Sequence, residues 1–415
     1  MKICLIGKSL THSYSKQIHD SLSKNNYQLI NLDEDEFIEF IKKRNFNGIN
    51  ITIPYKEKVI PYLDEMDETS SMVGSVNCVV NNQGRLIGYN TDVYGFEKLL
   101  EKYKIEVSGR KILVLGSGGT SKTVKHVLIK QKAKEIYIVS RIKQKGTITY
   151  EEAKTLFDIN VIVNTTPYGM MPNYEDSSLV DLSYFPYLES VVDVIYNPIK
   201  TQLIIDAKIK GCKVASGLYM LVQQAIKSHE LFLKKKYSDS VVNKIFNSIL
   251  LKESNLVFIG MPSCGKSTAS LSVSRVLNKK RYDTDEEIEK EQKMKIKDIF
   301  SKNGEEYFRK LETEKIKELS SLKGAVISIG GGTLMNNVNI KYILRNGVLI
   351  FLNRDLELLK SNRYALINRP LLEDMNAFDT LYQERFPIYL KCADFVIVNN
   401  GTKLNTRNMI LEKLL

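Results

Sequence analysis

Two glycine-rich segments constrain this chain most, because each lies between a predicted strand and a predicted helix. The first is ILVLGSGGTSK at residues 112–122, and the second is VFIGMPSCGKST at residues 257–268. A glycine-rich turn at the start of a helix brings backbone N–H groups close to phosphate oxygens. The two segments space their glycines differently. We therefore expect two different phosphate-bearing ligands on one chain.

Length and composition favour a soluble globular protein with several domains. The chain has 415 residues, of which 43% are hydrophobic and 26% charged. No apolar run reaches the length of a membrane helix. The short apolar start before Gly7 and Lys8 resembles a strand and turn more than a signal peptide. We therefore expect no membrane partner.

The cysteines and the charge exclude further classes of function. The five cysteines are widely spaced without a C-x-x-C pair, and the four histidines do not cluster. This pattern predicts neither disulfides nor a zinc site, and it favours a reducing, cytoplasmic location. The net charge of +12 is spread along the chain, which is typical of a solvated basic surface and predicts no nucleic-acid partner.

Short β-branched runs alternate with helical segments throughout, which predicts an α/β fold of parallel sheets with helices on their faces. We place breaks near residues 103–109 and 252–255. The predicted domains are residues 1–103, residues 104–251 with a Rossmann-like fold and C-terminal helices that return to the first lobe, and residues 255–415 as a P-loop domain. A long helical stretch at 218–251, as one helix or two, precedes the second break.

The second glycine-rich segment satisfies the pattern G-x-x-x-x-G-K-[ST] with Gly260, Gly265, Lys266 and Ser267. In this pattern the lysine reaches the β- and γ-phosphates of a nucleotide, and the hydroxyl binds Mg²⁺. Dispersed acids and arginines follow, and they suit a clamp on an anionic phosphate acceptor. They are Asp283 and Asp285 in YDTDEE, Arg309 in GEEYFRKLE, Arg369 in NRPLL and Arg385 in QERFPIYLKCAD.

Residues 255–415 resemble shikimate kinases, which have a nucleoside-monophosphate-kinase-like fold. The resemblance rests on the P-loop, D-x-D, G-E-x-x-F-R-x-x-E, GGG, R-P-L-L and E-R-x-x-x-Y-x-x-x-A-D. It implies that shikimate is held by Asp285, Arg309, Gly331, Gly332 and Arg385, with Asp285 catalytic. It implies that Ser267 and Asp283 place Mg²⁺. It implies that ATP contacts Ser263, Cys264, Gly265, Lys266, Ser267, Thr268 and Arg369, the last from a lid.

The first glycine-rich segment has the shorter pattern G-x-G-G, with Gly116, Gly118 and Gly119. The next predicted strand ends in Ser140 and Arg141, without an acidic residue. An acid at this place usually binds a free 2′-hydroxyl, whereas arginine binds a 2′-phosphate. The sequence therefore favours NADP over NAD.

Hydroxyl and amide side chains are dense at predicted strand ends of the first lobe, a composition that suits a polyhydroxylated ligand. Lys56 and Asp92 stand among them and suit proton transfer to an alkoxide.

Residues 1–251 resemble shikimate dehydrogenases in H-S-Y-S, N-I-T-I-P-Y-K, G-S-V-N, G-Y-N-T-D-x-x-G, G-S-G-G, N-T-T-P-x-G-M and G-L-Y-M-L-V-x-Q. The resemblance implies Lys56 and Asp92 as the catalytic pair. The implied substrate residues are Ser13, Ser15, Asn50, Thr52, Lys56, Asn77, Asp92, Tyr196 and Gln224. The implied cofactor residues are Gly116, Ser117, Gly118, Gly119, Thr120, Ser140, Arg141, Val194 and Gly217. Tyr219 stands where the family has glycine, so we expect it to affect cofactor affinity.

Together the two resemblances imply a bifunctional enzyme of the chorismate pathway. It would reduce 3-dehydroshikimate with NADPH and phosphorylate shikimate with Mg·ATP. Two alternatives stay open: one half is catalytically silent, or the chain is a basic P-loop ATPase that acts on nucleic acid. The oligomeric state also stays open, with a homodimer as one alternative, and so does direct transfer of shikimate between the sites.

Overall fold

A computed structural model describes residues 2–10, 14–23, 27–171, 177–361 and 375–415. It divides the chain into two compact units. Unit 1 comprises Met1–Asn197 and Cys212–Phe246, and unit 2 comprises Pro198–Gly211 and Asn247–Leu415. Across the described residues, no helix combines the length and the apolar character needed to cross a bilayer.

Unit 1 begins with a six-stranded sheet in the order β2-β1-β3-β5-β6-β4. Its elements are β1 (Ile3–Gly7), α1 (Tyr14–Leu22), β2 (Gln28–Asn31), α2 (Glu34–Lys43), β3 (Gly48–Ile51), β4 (Glu65–Met66), α3 (Glu68–Val73), β5 (Cys78–Asn82), β6 (Arg85–Tyr89) and α4 (Thr91–Tyr103).

The first sheet is mixed, so the predicted parallel arrangement holds for only part of it. β5 runs antiparallel to both β3 and β6. The β5–β6 turn has Gln83 at φ 54° and Gly84 at φ 92°, and two successive left-handed residues are what a tight hairpin turn requires. The other pairings in the sheet, β1 with β2, β1 with β3 and β4 with β6, are parallel.

The second sheet of unit 1 has five parallel strands in the order β11-β10-β9-β7-β8. Its strands are largely buried, which explains their nearly continuous apolar sequences. The elements from this stretch of chain are β7 (Lys111–Leu115), α5 (Gly119–Lys130), β8 (Glu135–Val139), α6 (Tyr150–Ala153), β9 (Val161–Asn164), β10 (Ser190–Asp193), α7 (Gln202–Lys210), β11 (Lys213–Ser216), α8 (Leu218–Leu233) and α9 (Asp239–Glu253).

The helical stretch predicted at 218–251 is two helices, α8 and α9. α9 contains the boundary between the units, because unit 1 ends at Phe246. β7 neighbours both β8 and β9, so the loop after β7 lies where the chain changes direction across the sheet. Ligands of parallel α/β sheets bind at such a point.

Unit 2 has a five-stranded parallel sheet in the order β13-β14-β12-β15-β16, as predicted for this part of the chain. The elements are β12 (Asn255–Ile259), α10 (Lys266–Val276), β13 (Arg281–Asp283), α11 (Thr284–Gln292), α12 (Ile296–Ser320), β14 (Val326–Ser328), α13 (Asn337–Asn346), β15 (Gly347–Asn353), α14 (Leu356–Ser361), α15 (Met375–Cys392), β16 (Phe395–Val398) and α16 (Lys403–Leu414).

Helix α7 belongs to unit 2, although the sequence placed it in the second predicted domain. Ile205 of α7 is part of the apolar core of unit 2. The ammonium groups of Lys200 and Lys208 both contact the carboxylate of Asp394, and Lys200 Nζ also donates to the carbonyl of Gly347 at 2.7 Å. Segment 198–211 is therefore tied to unit 2 by apolar packing and by ion pairs.

Candidate active sites

Lys56 and Asp92 form the centre of a candidate site in unit 1. Lys56 lies in the turn after β3, and Asp92 is the second residue of α4. Lys56 Nζ lies 2.6 Å from Asp92 Oδ2, and the two side chains are 20% and 13% exposed. A proton held between a partly buried ammonium and a partly buried carboxylate is suited to general acid–base chemistry.

The first turn of α4 is fixed by an amide beside it. Asn77, just before β5, donates from Nδ2 to Thr91 Oγ1 at 3.0 Å and accepts from the Thr91 N–H at 2.7 Å. Thr91 directly precedes Asp92, so these bonds define where the carboxylate of Asp92 lies. Thr91 is absent from the predicted site residues. Its place in the N-T-D motif was the cue that could have identified it.

The other predicted substrate residues of unit 1 come from separate elements. Ser15 is buried in the first turn of α1, and Asn50 is buried on β3. The ring of Tyr196 lies edge-on to Tyr14, with centroids 5.7 Å apart. Gln224 lies on α8, Thr52 follows β3, and Ser13 lies outside the described residues.

The loop after β7 has the geometry of a dinucleotide turn. Gly116 has φ 103°, and a Cβ there would lie 2.8 Å from Thr165 Oγ1, so the position requires glycine. α5 starts at Gly119 and directs its free N–H groups at the loop. Ser117 Oγ donates to Ser140 Oγ at 3.3 Å, which joins two predicted cofactor residues across adjacent loops.

Two further predicted cofactor residues meet at the ends of β10 and β11. A Cβ on Gly217 would lie 1.9 Å from the carbonyl oxygen of Val194, so only glycine fits. Arg141 is exposed just after β8, whereas its neighbour Lys143 is ion-paired with Glu152. Arg141 is therefore the better placed of the two bases to meet a 2′-phosphate.

Tyr219 packs among helices of unit 1. It is buried, its ring is edge-on to Phe246 at 5.2 Å, and Lys102 lies over its face. Its hydroxyl accepts from Gln223 Nε2 at 2.9 Å. These contacts identify Tyr219 as a packing residue of α8.

The P-loop of unit 2 joins β12 to α10. Gly260 has φ 141°, and a Cβ there would lie 2.8 Å from the carbonyl oxygen of Leu352. Gly265 caps α10 at φ 97°. Lys266 Nζ donates to the carbonyls of Gly260 and Met261, both at 2.9 Å, so the ammonium lies over the loop in which phosphates would sit.

Two oxygen groups that suit Mg²⁺, the hydroxyl of Ser267 and the carboxylate of Asp283, lie side by side next to this loop. Ser267 Oγ donates to Asp283 Oδ2 at 2.9 Å. Arg281 Nη2 lies 2.8 Å from the same carboxylate oxygen and holds it in place. A hydroxyl and a carboxylate fit a cation that keeps several waters and takes its other ligands from phosphates.

A cavity of about 440 Å³ extends from this loop across the sheet of unit 2. The predicted residues Ser263, Gly265, Lys266, Ser267, Thr268, Asp283, Asp285 and Gly331 line it. The cavity is also lined by residues that were not predicted, among them Arg354, Asn399, Gly401, Lys403 and Thr406. Arg354 and Asn399 follow the ends of β15 and β16, and such strand ends were the cue that could have identified them.

The predicted arginines have different surroundings. Arg309 on α12 is paired with Glu312 at 2.9 Å and Glu305 at 3.0 Å, and a Cβ on Gly332 would lie 3.0 Å from its Nη2. Arg385 on α15 is only 7% exposed, and its Nε has no hydrogen-bond partner among the residues that the structure describes. A buried unpaired guanidinium N–H favours an anionic ligand. Arg369 lies outside the described residues.

Comparison with known proteins identifies the two parts of the chain separately. The family model "Shikimate dehydrogenase substrate binding domain" matches residues 5–79, and the family model "Shikimate kinase" matches residues 262–415. The shikimate dehydrogenase (NADP(+)) of Clostridium perfringens strain 13 is 35% identical over 263 residues. That match covers 59% of this chain and 97% of the relative.

Solved structures of shikimate dehydrogenases align with about 60% of the chain. The chorismate mutase/shikimate 5-dehydrogenase fusion protein of Clostridium acetobutylicum aligns with a TM-score of 0.57 at 35% identity, covering 60% of this chain and 97% of that one. The shikimate 5-dehydrogenase of Thermus thermophilus, in complex with NADP(H) and shikimate, aligns with a TM-score of 0.54 at 26% identity, covering 60% and 99%. The chain therefore belongs to the shikimate dehydrogenase family and carries, after that part, a shikimate kinase domain.

Proposed function

We propose that this protein is a bifunctional enzyme that reduces 3-dehydroshikimate to shikimate with NADPH and then phosphorylates shikimate at its 3-hydroxyl with ATP. The observation that carries the proposal is that one chain holds both chemical centres. Unit 1 contains the Lys56–Asp92 pair, and unit 2 contains a complete P-loop beside the Ser267–Asp283 pair. The family matches to both parts support it.

We divide the activities among residues 1–103 for substrate and catalysis, 104–251 for NADP, and 255–415 for the kinase. NADPH, when bound, supplies the hydride that converts the ketone carbon to an alcohol. Lys56 Nζ, held at 2.6 Å by Asp92, donates a proton to the oxygen that becomes the alkoxide. Asn50, Asn77 and the other polar residues of the site hold the ring hydroxyls, with Asn50 accepting at Oδ1 because both of its Nδ2 protons are donated inside the protein.

In the kinase reaction, Asp285 takes the proton of the attacking hydroxyl, while Lys266 offsets the charge on the transferred phosphoryl group. Arg309 and Arg385 bind the carboxylate of shikimate, and Arg385 is suited to this because its buried Nε lacks a described partner. Ser267 and Asp283 would hold Mg²⁺, which when bound neutralises charge on the phosphate oxygens.

The two reactions act on the same oxygen atom. Reduction of 3-dehydroshikimate creates the 3-hydroxyl, and the kinase reaction esterifies it. Phosphorylated product lacks the free hydroxyl that the dehydrogenase would need for the reverse oxidation. The kinase therefore draws the first reaction forward by consuming its product.

The five cysteines are all free thiols, which supports a reducing, cytoplasmic location. The partners we propose are small molecules, without nucleic acid or membrane.

The experiment that tests the function uses two single substitutions in the full chain. Lys56→Ala should lower NADP-dependent oxidation of shikimate by about 100-fold or more and leave shikimate phosphorylation unchanged. Lys266→Ala should lower shikimate phosphorylation and leave the oxidation of shikimate unchanged. The reason is that Lys266 acts in phosphoryl transfer, whereas Lys56 acts in proton transfer. Loss of both activities in either variant would contradict the division. ATP hydrolysis that responds to RNA or DNA but not to shikimate would refute the kinase assignment.

A further inference from the structure

The hydroxyl of Ser228 on α8 lies where three distant segments of unit 1 meet. The residue is 0% exposed. Its Oγ accepts a hydrogen bond from Asn50 Nδ2 at 2.7 Å, lies 3.0 Å from Thr91 Oγ1 and donates to the carbonyl of Gln224 at 3.0 Å. One buried hydroxyl thus connects β3, the first turn of α4 and α8.

These bonds lock the carboxamide of Asn50. Its Nδ2 donates to Ser228 and, at 3.3 Å, to the carbonyl of Asn77. Its Oδ1 accepts from the hydroxyl of Tyr27 at 2.7 Å, and the ring of Tyr27 is stacked on His19 with centroids 3.9 Å apart. Both Nδ2 protons are used inside the protein, so the orientation of this amide is set by Ser228 and Tyr27.

The same hydroxyl supports the turn that carries Asp92. Thr91 is held on one side by Asn77, whose Oδ1 accepts from the Thr91 N–H at 2.7 Å, and on the other side by Ser228. Asp92 follows in the chain and lies 2.6 Å from Lys56. A shift of Thr91 would therefore change the geometry of the proposed proton-transfer pair.

We propose that Ser228 is a positioning residue of the dehydrogenase, which acts through Thr91 and Asn50 without touching the substrate. The proposal rests on the proposed role of Lys56 and Asp92 in proton transfer. A buried polar network with every member satisfied fixes one arrangement, and removal of one member leaves buried donors without partners. Ser228→Ala leaves Asn50 Nδ2 without one of its two acceptors. It also removes the hydrogen bond between the hydroxyls of Thr91 and Ser228, which links Thr91 to α8.

The test measures shikimate oxidation by the full chain at saturating NADP. We expect Ser228→Ala to lower kcat about tenfold, because misalignment of the Lys56–Asp92 pair slows the chemical step. The KM for NADP should stay within twofold, because Ser228, in the described part of the chain, is hydrogen-bonded to Asn50, Thr91 and Gln224, and none of these is a predicted NADP residue. The kinase activity of the same preparation should be unchanged, which shows that unit 2 is folded, and the unchanged KM for NADP shows the same for the cofactor site of unit 1.

A matched control separates positioning from general destabilisation. Ser70 on α3 is also fully buried, and its hydroxyl donates to the carbonyl of Gly88 at 3.1 Å and contacts Asp67, neither of which is a predicted site residue. Ser70→Ala should lower the melting temperature of unit 1 as much as Ser228→Ala does, with kcat within twofold of the unmodified protein. An equal loss of kcat in both variants would overturn the proposal.

A double-mutant cycle tests whether Ser228 acts through Thr91. Thr91→Val and Ser228→Ala remove the two hydroxyls that lie 3.0 Å apart. We expect the double variant to lose less kcat than the product of the two single losses, because the second change removes an interaction that is already broken. Strictly multiplicative losses would refute the coupling.

Tyr27→Phe tests the same network from its other end, should Ser228→Ala not accumulate as folded protein. It keeps the ring stacked on His19 and removes the donor to Asn50 Oδ1. A fall in kcat of about fivefold with an unchanged KM for NADP is expected. If Ser228→Ala and Tyr27→Phe both keep a kcat within twofold of the unmodified protein, the proposal is overturned. If the unmodified protein itself does not oxidise shikimate, the proposed function is refuted instead.

Discussion

At the scale of single residues, each proposed activity depends on a few side chains whose surroundings define their chemistry. Lys56 and Asp92 are partly buried and in contact, whereas Arg385 is buried with an Nε that lacks a described partner. The contact between Lys56 and Asp92 suits proton transfer, and the buried guanidinium of Arg385 suits the binding of an anionic ligand.

Cofactor preference is testable at Arg141. Arg141→Ala should raise the KM for NADP roughly tenfold and leave the much weaker use of NAD unchanged, because only NADP carries a 2′-phosphate. Steady-state kinetics of shikimate oxidation with each cofactor measures this. Lys143→Ala is the matched control, because Lys143 is paired with Glu152 and should matter less. Equal loss with NAD and NADP would contradict the assignment.

Two buried histidines of unit 1 predict a loss of stability in acid. Burial lowers the pKa of His19 to about 3 and that of His229 to about 4. Unfolded histidine titrates near pH 6.5, so between pH 6.5 and 4 the unfolded chain binds more protons than the folded one. Stability therefore falls as pH falls through this range. The free energy of unfolding of unit 1 should be about 2 kcal/mol lower per histidine at pH 5 than at pH 7.

Urea unfolding of the full chain at the two pH values checks this prediction, with the unit 1 transition identified by its shift on addition of NADP. His229→Gln should remove about half of the pH dependence. A unit 1 transition that is the same at both pH values would contradict it.

At the scale of elements, α7 departs most from the sequence-based division into domains. The sequence placed it in the NADP-binding domain of residues 104–251, whereas the structure places it in unit 2, where Lys200 and Lys208 contact Asp394. Burial by itself raises the pKa of Asp394, but the charges of Lys200 and Lys208 outweigh it, so the pKa lies well below that of an ordinary aspartate. Burial also lowers the pKa of Lys200 to about 8. The kinase part is thus stabilised by a helix encoded some 50 residues before its P-loop.

Lys208→Met should destabilise unit 2. It removes one of the two cations at the carboxylate of Asp394, whose side chain is 24% exposed. We expect a loss of about 2 kcal/mol, between the cost at an exposed ion pair and that at a fully buried one. Calorimetry of the full chain measures it, with the unit 2 transition identified by its shift on addition of Mg·ATP. Lys210→Met, on the same helix but exposed, should have no effect, and equal effects of the two variants would contradict the role of α7.

Elements with a regular pattern could be predicted, and those defined by tertiary contacts could not. The apolar runs of β7 and β12 and the glycines after them predicted both phosphate loops. The antiparallel β5–β6 hairpin was missed because its turn, NQG, lacks the usual asparagine–glycine pair. Ser228 was missed because it is a single polar residue within α8 whose role depends on which other elements lie beside it, whereas Arg354 and Asn399 could have been identified from their places after strand ends.

At the scale of the whole molecule, two consecutive reactions share one chain and one substrate oxygen. When shikimate and NADP react to equilibrium, addition of Mg·ATP should lower the NADPH concentration, because phosphorylation withdraws shikimate. Lys266→Ala should abolish this fall while leaving the initial equilibrium unchanged. If the NADPH concentration stays constant when Mg·ATP is added to the unmodified protein, the kinase part does not act on shikimate.

The most direct measurement combines both activities in one reaction. The purified full chain is given 3-dehydroshikimate, NADPH and Mg·ATP, and shikimate 3-phosphate is quantified together with NADPH consumption. We predict that the two amounts agree, and that Lys56→Ala forms no phosphorylated product unless shikimate is supplied. NADPH consumption without shikimate 3-phosphate, or no consumption of either cosubstrate, would contradict a bifunctional enzyme.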